Sequence, residues 1–326
     1  FHHVRGDRDE ARDLARRLIT LAEHWQDRDR AVIGFGLLGH ALWIDGDLAG
    51  AQAALEEVDR IYDVERHGGI AVQTGIDPLG HALCGLAHVA WMRGDEETAI
   101  AHAERAVAHT AELGHANSHS IAMVFRTNIH AERGDREAVA RLGAETVAFC
   151  ERMGIASTAA YARIVTNWAQ GDLPSSQPLF DLNDALGVHV GMTFYRSLAV
   201  ETAIETGDLT TARKLQERNR AQSETGERFW EPMIHLLDAR LIEAEGGSPT
   251  ELRAALENAV ARAEAMGARV FEAVALRELA RACPEDIGPA RRARLADLVD
   301  IEGVRLPLWV QRPAPEASSR ADERAL

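Results

Sequence analysis

The chain has 326 residues, 46% of them apolar, with 36 basic and 51 acidic side chains and a net charge of −15. That charge argues against nucleic acid as a partner, because neutralising phosphates needs clustered Lys and Arg. No apolar run approaches the roughly 18 residues of a membrane span, so no membrane partner is expected. Aromatics make up only 5%, while Ala, Leu, Glu and Arg dominate, a composition that favours helix because unbranched side chains lose little rotamer freedom there.

Read from the N-terminus, the chain opens at Phe1 in mid-pattern, and its first residues do not read as a charged-then-apolar leader, so none is expected. We therefore expect it to be the C-terminal part of something longer. A first helix is predicted from about Asp7 to Trp25 as the second half of a truncated repeat. Gly-Asp then recurs at Gly6, Gly46, Gly94, Gly134, Gly171 and Gly207, at spacings of 40, 48, 40, 37 and 36 residues, and Gly246-Gly247 follows 39 residues later. A second glycine follows each turn, at Gly68, Gly114, Gly154, Gly187, Gly226 and Gly267. Glycine ends a helix in the left-handed conformation and Asp caps the next one, so each Gly-Asp predicts a helical hairpin.

Hairpins are expected at 30–66, 78–113, 117–153, 156–187, 192–225 and 229–266. In the first, Leu38, Gly39 and Leu42, followed by Ala51, Leu55 and Val58, fit the tetratricopeptide pattern of small and large apolar residues. The second repeats it with Leu86, Ala87 and Ala90, then Ala99, Ala103 and Ala106. A degenerate pair, about 268–300, carries Cys283-Pro284 in place of Gly-Asp and suits a terminal cap. Residues 63–77 read as a long loop insertion, and 301–326 as a tail that is disordered from about 306. One hairpin cannot bury its apolar face alone, so the array is expected to be an all-α right-handed superhelix of antiparallel pairs.

Several stretches resemble one family. Tyr62-Asp63, His67, Gly75, Asp77-Pro78, Trp91 and Gly94 form one, and Thr225-Gly226-Glu227-Arg228-Phe229-Trp230-Glu231 through Leu237 and Leu241 another. Ala259 through Gly267-Ala268-Arg269, with Glu272 and Leu276, is a third. Together they resemble the helical-repeat region downstream of the ATPase module in bacterial class III adenylate/guanylate cyclase-like regulators, over about residues 5 to 282. The resemblance implies that a cyclase or other output domain and an ATPase module precede repeats which sense a ligand or partner. Neither catalytic part lies in this chain, so no active-site residue carries over.

Counting back from the turn glycines predicts which side chains face the concave surface. His40 and Trp43 come from the first repeat, and His81, Cys84, His88 and Trp91 from the second. Asn128, Tyr161, Trp168, Phe194, Ser197, Glu201, Met233 and Arg240 follow from the next four. Trp43, Trp91 and Trp168 share one position, three residues before the glycine. Rigid aromatics with a few polar groups suit peptide or small-molecule binding; the alternative is that these tryptophans pack between repeats. His81, Cys84 and His88 at i, i+3 and i+7 have metal-ligand spacing, with His40 as the one candidate fourth ligand. His115/His119 and His102/His109 have it equally by chance, and groove lining is preferred, so no metal or other cofactor is expected.

Catalytic signatures are missing. Lys214 is the single lysine and has no glycine loop, which excludes a P-loop. There is no H-E-x-x-H, G-x-S-x-G or EF-hand loop. Asp7/Asp9, Asp27/Asp29 and Asp45/Asp47 read as helix caps, and Arg291-Arg292-Arg294 as a solvated face. Cys84, Cys150 and Cys283, sparse and odd in number, read as reduced thiols in a cytoplasmic protein. The expected function is a non-catalytic regulatory region that binds a protein or peptide, its own upstream ATPase module included. The alternative is a small-molecule sensor that uses the Trp/His groove.

Overall fold

The computed structural model describes residues 8–185, 187, 190–285 and 287–307. Among them every regular element is helical. The first part of the chain forms α1 (Arg8–Trp25), α2 (Arg28–Asp45) and α3 (Leu48–Ile61), then two short helices, α4 (Val64–His67) and α5 (Ile70–Thr74). The middle of the chain forms α6 (Pro78–Met92), α7 (Glu96–Leu113), α8 (Ala116–Glu132), α9 (Arg136–Met153), α10 (Ala156–Gln170) and α11 (Gln177–Ala185). The last third forms α12 (Met192–Thr206), α13 (Leu209–Glu224), α14 (Glu231–Ala244), α15 (Pro249–Met266), α16 (Arg269–Ala282) and α17 (Gly288–Ala296). The long consecutive helices pack on one another.

The turns follow local capping chemistry. Gly46 has φ 85°, and its N–H closes α2 on the carbonyls of Leu42 and Trp43. Asp47 then accepts from the Gly50 N–H at the start of α3. Asp95, Asp135 and Asp208 repeat this bond to the amides of Thr98, Ala138 and Thr211 at 3.0–3.1 Å. Each Asp satisfies an amide that its helix leaves without an internal partner. Gly6-Asp7 lies outside the described residues. Between α2 and α3 a small residue sets the approach: a Cβ on Gly39 would stand 2.5 Å from the Leu55 side chain.

Residues 63–77 differ from the loop expected there. Asp63 accepts from the amides of Glu65 and Arg66, and its own N–H donates to His67 Nδ1, which starts α4. Ile70 and Ala71 are buried and anchor α5. At the other end, Val304 and Pro307 are buried, so the chain stays packed slightly past 306. The remainder of the expected tail, from 308, lies outside the described residues.

One hydrophobic core runs from α2 to Val304, and a smaller one joins α2, α3, α6, α7 and α8 around Leu55 and Leu83. Residues far apart in sequence meet in the larger one. Trp91 of α6 touches Phe271 of α16, and Val304 sits against Gly94. The first and last thirds of the chain are therefore packed directly together.

Candidate functional site

The face predicted to line a groove is an interior aromatic network, and the segment Gly226–Trp230 explains why. Glu227, fully buried, accepts from the amides of Gly191 and Thr193, the Thr193 hydroxyl and Gln222 Nε2 at 2.6–3.0 Å. That carboxylate ties the turn to the start of α12. The Arg228 and Phe229 amides both donate to the Ile44 carbonyl, at 2.8 and 3.1 Å. Held at both ends, the segment directs Phe229 and Trp230 inward. Phe229 lies 4.5 Å from the Trp43 ring, and Trp230 packs on Trp91, Phe194 and Phe271 at 6.3, 5.0 and 4.9 Å.

The network continues on both sides. Trp43 neighbours His88 and Phe125, and His40 stacks on His81 with ring centres 3.5 Å apart. Phe194 leads to Tyr195, which stacks on Tyr161. Polar groups are threaded through these rings. His88 Nδ1 and Glu132 Oε1 are in hydrogen-bond contact at 2.5 Å. Burial raises the Glu132 pKa above its ordinary value, against the pull of His88. Asn128 Nδ2 donates to the Tyr195 hydroxyl at 2.9 Å. Trp43 Nε1, His88 Nε2, Asn128 Oδ1 and Glu132 Oε2 are buried without a hydrogen-bond partner.

A second polar group surrounds Glu201. Trp168 Nε1 donates to its carboxylate at 3.2 Å, while Arg136 and Arg240 approach it to 3.7 and 3.9 Å. Arg136 also lies 4.7 Å over the Trp168 ring. Burial raises the Glu201 pKa, opposed by the two guanidiniums.

The predicted residues thus meet in subsets. His40, Trp43, His81 and His88 come together, as do Trp168, Glu201 and Arg240. Asn128, Tyr161 and Phe194 join through Tyr195, and Trp91 joins through Trp230. Ser197 Oγ accepts from Asn219 Nδ2 at 3.2 Å, while Met233 is core. Cys84 lies in the smaller core with Leu55, against which Phe125 also packs, and burial raises its thiol pKa. Nine of the twelve principal residues are buried; His81, Tyr161 and Arg240 are half-buried. The His40 and His81 rings stack face to face, an arrangement that does not aim two ring nitrogens at one ion. Among the described residues no group of three or more His, Cys, Asp or Glu could hold a metal. Phe125, Glu132, Arg136, Tyr195, Phe229, Trp230 and Phe271 were not singled out from the sequence as concave-face residues. The Gly-Glu-Arg-Phe-Trp-Glu turn carried the signal for two of them.

The exposed apolar surface lies elsewhere. On α1, Ala15, Ile19 and Ala22 pack against α2, with Ile19 facing Gly34. Arg12 ties α1 to Asp45 at 2.8 Å. The neighbouring stripe, Leu14, Leu21 and Trp25, is exposed, Leu21 by 55% and Trp25 by 72%, and Leu37 of α2 is exposed too. The spacing of 7 and 4 residues keeps Leu14, Leu21 and Trp25 on one helical face. No family model matches the chain, and no curated protein matches its sequence. No helix of the described residues is long and apolar enough to cross a membrane.

Proposed function

We propose that the chain is a non-catalytic regulatory module, a tetratricopeptide-like superhelix of antiparallel helix pairs that binds a protein segment. The observation that carries this reading is the apolar stripe of α1. Soluble surfaces rarely leave several large apolar side chains in one contiguous patch unless another surface covers them. An amphipathic partner helix would lay its apolar face along Leu14, Leu21 and Trp25 in the way one repeat helix covers the next. The resemblance to ATPase-linked regulators makes an upstream ATPase module one such partner.

A photo-activated crosslinking residue at position 21 tests this in cells. A defined partner protein should be trapped there, and not at position 141 on α9, where Arg141 is exposed. Equal labelling at both positions, or none at 21, would overturn the proposal. A second reading, a small ligand bound among the interior rings, is supported by the four unpartnered polar atoms around Trp43 and Glu132. Such atoms cost free energy when buried alone and gain it when a ligand supplies their partners.

A further inference from the structure

A cavity of about 410 Å³ lies where residues 299–306 meet α7, α8 and α16. Arg133, Arg277 and Arg305 line it, and Glu96 is its one lining carboxylate. A local excess of two positive charges is unexpected in a chain of net charge −15. Glu96 Oε1 is shared between Arg133 at 2.8 Å and Arg305 at 3.3 Å, and Arg133 also lies 3.8 Å from Asp135, which stands outside the lining. Arg133 Nε is buried and has no hydrogen-bond partner. Arg277 has no ion-pair partner among the described residues, and Val299 and Leu306 supply an apolar wall.

We propose that this cavity binds a small organic phosphate monoester. Guanidinium groups match the several oxygens of a phosphate with paired N–H donors. A phosphate monoester is close to a dianion at neutral pH and would balance the excess of two charges. The volume falls in the range of small-molecule clefts and leaves room for an apolar body against the valine and leucine side chains. Bound there, the phosphate bridges α8, α16 and the C-terminal segment, and holds the two ends of the array together. This inference is independent of partner binding at α1.

Phenyl phosphate is the probe, compared with inorganic phosphate, which lacks the apolar body, and with benzoate, which lacks the second charge. Calorimetric titration should give saturable binding of phenyl phosphate, tighter than either comparator. Amide hydrogen exchange in residues 299–306 should slow on binding, because this segment forms one wall. Arg277→Glu should weaken binding by about tenfold or more while leaving the melting temperature without ligand nearly unchanged, since Arg277 is exposed and has no ion-pair partner among the described residues. Arg305→Gln, at a side chain 75% exposed, provides an independent variant with the same expected direction. Absence of saturable binding, unchanged affinity in both variants, or slowed exchange elsewhere but not in 299–306 would overturn the proposal.

Discussion

Replacing Trp91 by Ala is expected to unfold the protein more readily without touching any accessible surface. Trp91 is 2% exposed and lies at the junction of α6 with Trp230 and with Phe271 of α16. Removing a buried indole costs about 3–5 kcal/mol in transfer and cavity terms. The upper part of that range applies, because two aromatic pairs worth about 0.5–1.5 kcal/mol each are lost together. For a chain of 326 residues, an unfolding entropy of about 2.1 cal/mol/K per residue gives roughly 1.5 °C per kcal/mol, so the expected fall in Tm is about 6–7 °C. Calorimetry and urea titration followed by near-ultraviolet circular dichroism would measure it. Trp25→Ala, run beside it, should shift stability by no more than about 0.5 kcal/mol, because its indole lies mostly in water. A Trp91→Ala protein within about 1 kcal/mol of the parent would refute the interior placement of this face.

Gly39→Ala should cost about 1–3 kcal/mol by forcing Leu55 away from the α2–α3 contact, read by urea titration. Asp77→Ala should cost about 2–4 kcal/mol, since this buried carboxylate accepts from the Gly80 amide, the Tyr62 hydroxyl and His109 at 2.6–2.8 Å. Burial pushes the Asp77 pKa up, but those bonds outweigh it and hold it below the ordinary value. Its stabilisation is therefore present above the ordinary aspartate pKa and lost as pH falls through the lower folded one, and the Tm difference between parent and variant should shrink in acid. Glu132 has the opposite sign. Its raised folded pKa gives a contribution that is full below the ordinary glutamate value and lost as pH rises through the folded one. Glu132→Gln should accordingly flatten the loss of Tm between mildly acidic and neutral pH.

Helical class and turn positions were legible because capping is local: a left-handed Gly and an Asp that accepts from the amide three residues on need no distant partner. Counting back from the turn glycines also gathered His40, Trp43, Trp91, Trp168 and Glu201 onto one predicted concave face. Whether that face is open was not legible. It depends on two amides at Arg228 and Phe229 reaching the carbonyl of Ile44, a contact between residues more than half the chain apart, which no local pattern encodes. Cys84 packs in the smaller core although it shares the i, i+3, i+7 spacing with His81 and His88. Almost all of α6 is buried, so its apolar residues do not mark one face. Residues 63–77 looked like a loop because three glycines dominate the stretch, whereas the Asp63 cap and buried Ile70 are enough to order two short helices.

Indole accessibility tests the filled interior most directly. A Trp25→Phe, Trp309→Phe double variant leaves Trp43, Trp91, Trp168 and Trp230 as the emitting residues; Trp309 lies outside the described residues. All four remaining indoles are buried in the chain itself. Acrylamide quenching of their fluorescence should be weak and should rise sharply only on unfolding. Quenching of the folded double variant at a rate typical of solvent-exposed tryptophan would mean an open groove and would contradict the account.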